Sequence, residues 1–177
     1  MTSKSPFQEY WLAYGGWKAL FKSQYLWTAL ILNTLLFGAW FPIESKWWEQ
    51  VLSVIPNMLG FTLGGFAMWV AIGDERFKSI IAGEDEEGEV SPYMEVNATF
   101  THFVLLQVSA LILAIFANSY DHIMITNELM GVAARVYAFV SHFIYIYAVL
   151  SAIASVLAIL KVAKWYDEYQ TQSRKHN

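Results

Sequence analysis

Four apolar runs, each about as long as a bilayer is thick, constrain this chain more than any other feature. A membrane helix needs about 20 mostly apolar residues at about 1.5 Å rise per residue. The runs at about 19–41 (closed by Pro42), 51–72, 98–117 and 136–160 meet that requirement. Lipid offers the backbone no hydrogen-bond partner, so such runs must be helical. The expected fold is all-α: a polytopic membrane protein with four transmembrane helices in a single transmembrane domain over residues 1–177. Composition agrees. Hydrophobic residues make up 56% of the chain and charged residues 15%, against an ordinary charged share of about a quarter. A soluble domain of this size could not hide that much apolar surface. Without cysteine there is no disulfide framework, thiolate metal site or thiol nucleophile. The net charge of -4 does not suggest a nucleic-acid partner.

Lysine and arginine set the orientation. One set of flanks carries Lys4, Lys18, Lys22, Arg76, Lys78, Lys161, Lys164, Arg174 and Lys175; the other carries Lys46 and Arg135. The bias puts both termini and the loop at about 73–97 in the cytoplasm, and the loops at 42–50 and 118–135 outside. Trp40, Phe41, Trp47, Trp48 and Tyr120 gather at the outer boundary, Trp165 and Tyr166 at the inner one, as interfacial aromatics do. The first apolar run is too long for a cleavable signal, and no small-residue cleavage site follows it. Before it, Ser5, Pro6 and Gln8 match a helix start with a capping box and proline at the first helical position. Phe7, Tyr10, Trp11, Tyr14 and Trp17 recur at spacings of three or four. This pattern predicts an N-terminal helix lying in the inner interface, with a bend at Gly15-Gly16; the alternative is that it begins the first span.

The second run holds Pro56 and a GxxxG pair, Gly60 and Gly64, with Gly65 beside them. Apolar surface drives no association inside lipid, so helices there associate by close packing, which small residues allow. Ala148, Ser151, Ala152 and Ser155 form a matching small-residue pattern in the fourth run. Gly60, Gly64 and Gly65 are therefore expected to serve helix packing, within one chain or between copies of a homo-oligomer. A broken helix exposing carbonyls to an ion or substrate is the alternative, and no matching repeat supports it.

Polar residues inside the spans are the next candidates for function. Asn33, Gln107 and His142 could line a polar path, or simply tie helices together. No acidic residue lies within a span, which weighs against proton-coupled transport. Counting at about 1.5 Å per residue, His102 and His142 differ in depth by about 14 Å. A shared metal site is therefore not expected. Gln107 comes within about 6 Å of the level of His142, which suggests a hydrogen bond between them. Arg135 and His142 have the R-x6-H spacing of HEPN ribonucleases, but at the outer end of a membrane helix, away from RNA. Metalloprotease, nucleophile-elbow and phosphate-loop motifs are absent from the sequence. No catalytic residue, metal ligand or cofactor site is assigned. Glu84, Asp85, Glu86, Glu87 and Glu89 form an acidic run in the cytoplasmic loop. It is either a solvated connector or a dock for a basic cytosolic protein partner; the calcium-loop spacing is missing.

By size, four spans, cytoplasmic termini and lack of a catalytic set, the chain resembles the small membrane subunits of bacterial phage-defence systems, of the Kiwa membrane protein type. Colicin immunity proteins share a similar outline. The resemblance implies an oligomeric inner-membrane protein that senses or executes together with a cytosolic partner. It transfers no residue roles. Three function classes follow: a membrane sensor or effector subunit, with pore formation as one way of executing; a small channel or transporter acting alone, with an immunity protein against a pore-forming toxin as a further alternative; and a membrane-embedded enzyme. The enzyme class is weakened by the missing motifs.

Overall fold

A computed structural model describes residues 5–71, 75–83, 90–122 and 125–176. The described residues form helices and no strands: α1 (Pro6–Tyr14), α2 (Gly16–Lys22), α3 (Gln24–Leu35), α4 (Phe37–Trp40), α5 (Trp47–Ala71), α6 (Glu75–Ile81), α7 (Pro92–Ser119) and α8 (Glu128–His176). Three of them, α5, α7 and α8, are long and apolar enough to cross a membrane. The acidic run Glu84, Asp85, Glu86, Glu87 and Glu89 lies outside the described residues.

The N-terminal helix starts as its sequence dictates. Ser5 Oγ accepts from the Gln8 amide at 3.3 Å, and the Gln8 side chain accepts from the Ser5 amide at 3.0 Å. Pro6 occupies the first turn, and the left-handed backbone of Gly15 and Gly16 (φ 92° and 60°) separates α1 from α2.

The first apolar run departs from expectation. In place of one span over 19–41 it forms α2, α3 and α4, interrupted at Ser23 and Leu36. The longest of these, α3, has 12 residues and extends only about 18 Å. Two tryptophans supply donors at the breaks. Trp27 Nε1 donates to the Phe21 carbonyl, and Trp40 Nε1 donates to the Asn33 carbonyl, each at 2.8 Å. A buried carbonyl without a donor is costly in lipid, and these indoles replace donors that a continuous helix would have provided.

Helices α5, α7 and α8 run antiparallel in sequence, with α7 between the other two, α3 on α8 and α1 on α7. Two apolar cores follow from that register. One joins Trp47, Trp48, Val51 and Ile55 to Ala110, Ala114, Ala138, Tyr145 and Ala148. The other, at the opposite end, joins Trp69, Phe77, Ile81, Val96, Phe100 and Val162. Trp47 and Trp48 face inward, and are not a lipid-facing belt. Pro56 lies in the interior of α5, because that helix starts at Trp47 and not near residue 51. Its missing N–H leaves the Leu52 carbonyl without the usual partner. One residue on, the Asn57 side chain adds a donor to the Ser53 carbonyl at 3.0 Å.

The close-packing prediction is corrected within the chain. A Cβ added to Gly60, Gly64 or Gly65 meets nothing within 4 Å. Where α5 was expected to touch α8, a crevice of about 210 Å³ opens between Thr62, Gly65, Phe103, Ala152 and Ser155. Ala148, Ser151 and Ser155 are buried, but the small residues sharing a core with Ala148 are Ala110 and Ala114 of α7.

Helix α8 has 49 residues, about 74 Å at 1.5 Å each, more than twice the roughly 30 Å hydrocarbon thickness. The expected span at 136–160 is its middle. Beyond it, Trp165, Tyr166 and Tyr169 meet the second core, where Phe77 of α6 contacts both tyrosine rings.

Candidate functional site

The buried polar side chains form separate, locally partnered groups between helices. Asn33 (0% exposed) and His142 (1% exposed) join α3 to α8. His142 Nδ1 and Asn33 Oδ1 are 2.7 Å apart, and Asn33 Nδ2 donates to the Phe139 carbonyl at 3.3 Å. With the amide in that orientation, Oδ1 accepts and His142 Nδ1 carries the proton.

Gln107 does not reach His142. Its Nε2 donates to Thr62 Oγ1 at 3.0 Å, and Thr62 Oγ1 donates to the Met58 carbonyl at 2.7 Å. This chain ties α7 to α5. Gln107 Oε1 and Ser141 Oγ are buried without a hydrogen-bond partner. Asn33 and Gln107 are fully inaccessible to water, so Asn33, Gln107 and His142 do not line an aqueous path in the single chain; they tie helices together.

His102 is held by a set of residues that sequence reasoning missed. Its Nδ1 lies 2.6 Å from Tyr10 Oη and its Nε2 lies 3.1 Å from Tyr147 Oη. Tyr14 stacks on the imidazole with centroids 4.0 Å apart. A neutral imidazole has one donor and one acceptor nitrogen, and a phenol hydroxyl can serve either. Burial pushes the Tyr10 phenol up to about 12, and burial also raises that of Tyr14, so both hydroxyls remain protonated near neutral pH. The visible signal was the i, i+4 spacing of Tyr10 and Tyr14 on the aromatic stripe. The two histidines thus have different partners, on different helices.

One opening lies at the end of the bundle away from the C-terminal end of α8. It is a cavity of about 890 Å³ whose lining includes Trp40, Phe41, Lys46, Trp48, Phe116, Asp121 and Arg135. Lys46 pairs with Asp121 at 3.3 Å and approaches Glu49 at 4.0 Å. The Arg135 guanidinium stacks over the Phe41 ring, 5.0 Å from its centroid. Its Nε is buried without a hydrogen-bond partner.

No family model matches the chain, and no curated protein or solved structure matches it either.

Proposed function

We propose that this protein is a non-enzymatic, multi-pass subunit of the bacterial inner membrane that couples the outer face to a cytosolic partner, as a sensor or effector of the phage-defence kind. The observation that carries this reading is the continuity of α8. One uninterrupted helix runs from Arg135 at the outer cavity, past the buried His142–Asn33 pair, to the aromatic cluster around Trp165, Tyr166 and Tyr169. A rigid helix can carry a shift or rotation at one end to the other.

In this reading the broken run α2–α4 makes a fourth crossing, α1 lies in the inner interface, and both termini face the cytoplasm, as the nine-to-two charge bias requires. In sequence the acidic run at 84–89 falls between α6 and α7, both of which contribute to the inner core. Five clustered carboxylates would draw a basic partner surface there, with an attraction screened over about 8 Å at physiological ionic strength. The open face at Gly60 and Gly64 is available for assembly between copies. The burial of Asn33 and Gln107 favours this reading over a channel acting as a single chain.

The test is co-expression with the product of the adjacent gene, followed by co-purification at low and high salt. The parent chain should retain the partner at low salt and release it at about 1 M salt, where the Debye length is about 3 Å. A variant carrying serine or glutamine at Glu84, Asp85, Glu86, Glu87 and Glu89 should insert normally and fail to retain it. Full retention by that variant, with the cellular phenotype intact, would leave the loop a solvated connector and overturn the docking role.

A further inference from the structure

The outer cavity has the composition of a ligand site. Its volume of about 890 Å³ falls in the range of small-molecule pockets, roughly 300–1,000 Å³. Its walls are mainly aromatic and aliphatic, with Trp40, Trp48 and Phe116 among them. Such walls suit an apolar body. The polar groups are few and differ in availability. Asp121 is matched by Lys46 at 3.3 Å. Glu44 is exposed to solvent at the rim, where its charge is screened.

Of the lysine and arginine cations in the lining, Lys46 is paired and Arg135 is not. Among the described residues it has no ion pair and no hydrogen bond, and its only specific contact is the face of Phe41 at 5.0 Å. This cation–π contact places the guanidinium carbon over the ring and uses none of its N–H donors. One of these, Nε, is shielded from solvent with nothing to donate to. A buried charged donor without an acceptor is costly, more so than a neutral one. The chemistry that matches a guanidinium edge is a planar or tetrahedral oxyanion, taken by two parallel N–H···O bonds.

We propose that this cavity binds an amphiphilic oxyanion. Arg135 holds the phosphate or carboxylate head and the aromatic walls hold the apolar tail. The ligand class is shared by two sources: a phospholipid of the surrounding bilayer, with its headgroup in the cavity, and a free amphiphile arriving from outside. This inference does not depend on coupling to a cytosolic partner.

The experiment uses the full chain in a non-ionic detergent, titrated separately with dodecyl phosphate, with phosphatidylglycerol and with inorganic phosphate. Binding is read from native mass spectra and from the fluorescence of the tryptophans in the wall. The expected result is one saturable ligand per chain for at least one amphiphile, and binding by inorganic phosphate at least tenfold weaker. Saturation by phosphatidylglycerol alone identifies the lipid as the source; saturation by dodecyl phosphate alone identifies a free amphiphile.

R135Q should weaken binding by about tenfold or more, the factor that one charge-assisted hydrogen bond is worth. R135K keeps the charge and loses the paired Nη donors that hold an oxyanion by two parallel N–H···O bonds, so it should also lose affinity, which keeps the test decisive if the glutamine variant folds poorly. Unsaturable partitioning, inorganic phosphate binding as well as the amphiphile, or affinity unchanged in both variants would each overturn the proposal.

Discussion

Replacing Asn33 by leucine, alone and combined with replacement of His142 by phenylalanine, tests the central polar tie of the bundle. The two side chains meet at 2.7 Å with almost no exposure, so neither can turn to water when its partner is lost. N33L removes the acceptor for His142 Nδ1 and the donor to the Phe139 carbonyl. In soluble proteins a buried group orphaned this way costs about 1–3 kcal/mol. Measured couplings in a membrane bundle are smaller, about 0.6 kcal/mol on average and about 1.7 at most, because the unfolded chain in lipid finds other partners. Each single variant should therefore lose about 1–2 kcal/mol. The double variant should lose less than the sum by about 1 kcal/mol, since the second change removes a group already orphaned. The assay is the folded fraction in mixed micelles of increasing denaturing detergent, followed by helicity and tryptophan fluorescence. Additivity within about 0.3–0.5 kcal/mol, the margin for independent sites, would refute the pairing.

Two further substitutions separate kinds of buried group. Ser141 Oγ is buried without a partner, so S141A should leave stability unchanged or raise it in the same denaturation assay; a loss above about 1 kcal/mol would mean the hydroxyl is satisfied. Gly64 has open space where a side chain would go, so G64L should leave the stability of the single chain unchanged and, under the proposed assembly of copies through this face, lower the mass seen in native mass spectrometry. Unchanged oligomer size would place Gly64 against lipid.

The class of fold was legible because lipid leaves few choices: residues 51–71 of the second apolar run, and the runs at 98–117 and 136–160, fall within three long helices, and the capping box at Ser5 and Gln8 forms as its spacing predicts. What the sequence concealed is direction around each helix axis. Counting at a fixed rise placed Gln107 near the level of His142, but its facing direction depends on how α7 is turned, and it points to Thr62 on α5. The same ambiguity hid the open face of Gly60 and Gly64. A small residue permits close approach and does not say which neighbour takes it; Ala110 and Ala114 share the core with Ala148 instead. The first run misled for another reason. No proline or glycine marks its breaks at Ser23 and Leu36, and the tryptophan donors that serve them come from six and seven residues away, beyond the helical repeat. Arg135 was legible as an outer charge, but its stacking on Phe41 joins residues 94 positions apart in the chain.

The proposed coupling requires α8 to cross the membrane with its two ends in different compartments. Because the chain contains no cysteine, a single introduced thiol reports its own location. Glu128 and Gln172, both exposed, lie about 66 Å apart along α8 at 1.5 Å per residue. Each is replaced by cysteine in a separate variant and treated with a membrane-impermeant maleimide, on intact spheroplasts and after permeabilisation. With α8 spanning the membrane, E128C should label on intact spheroplasts and Q172C only once the membrane is opened. Labelling of both positions from the same side, or of Q172C alone from outside, would contradict it.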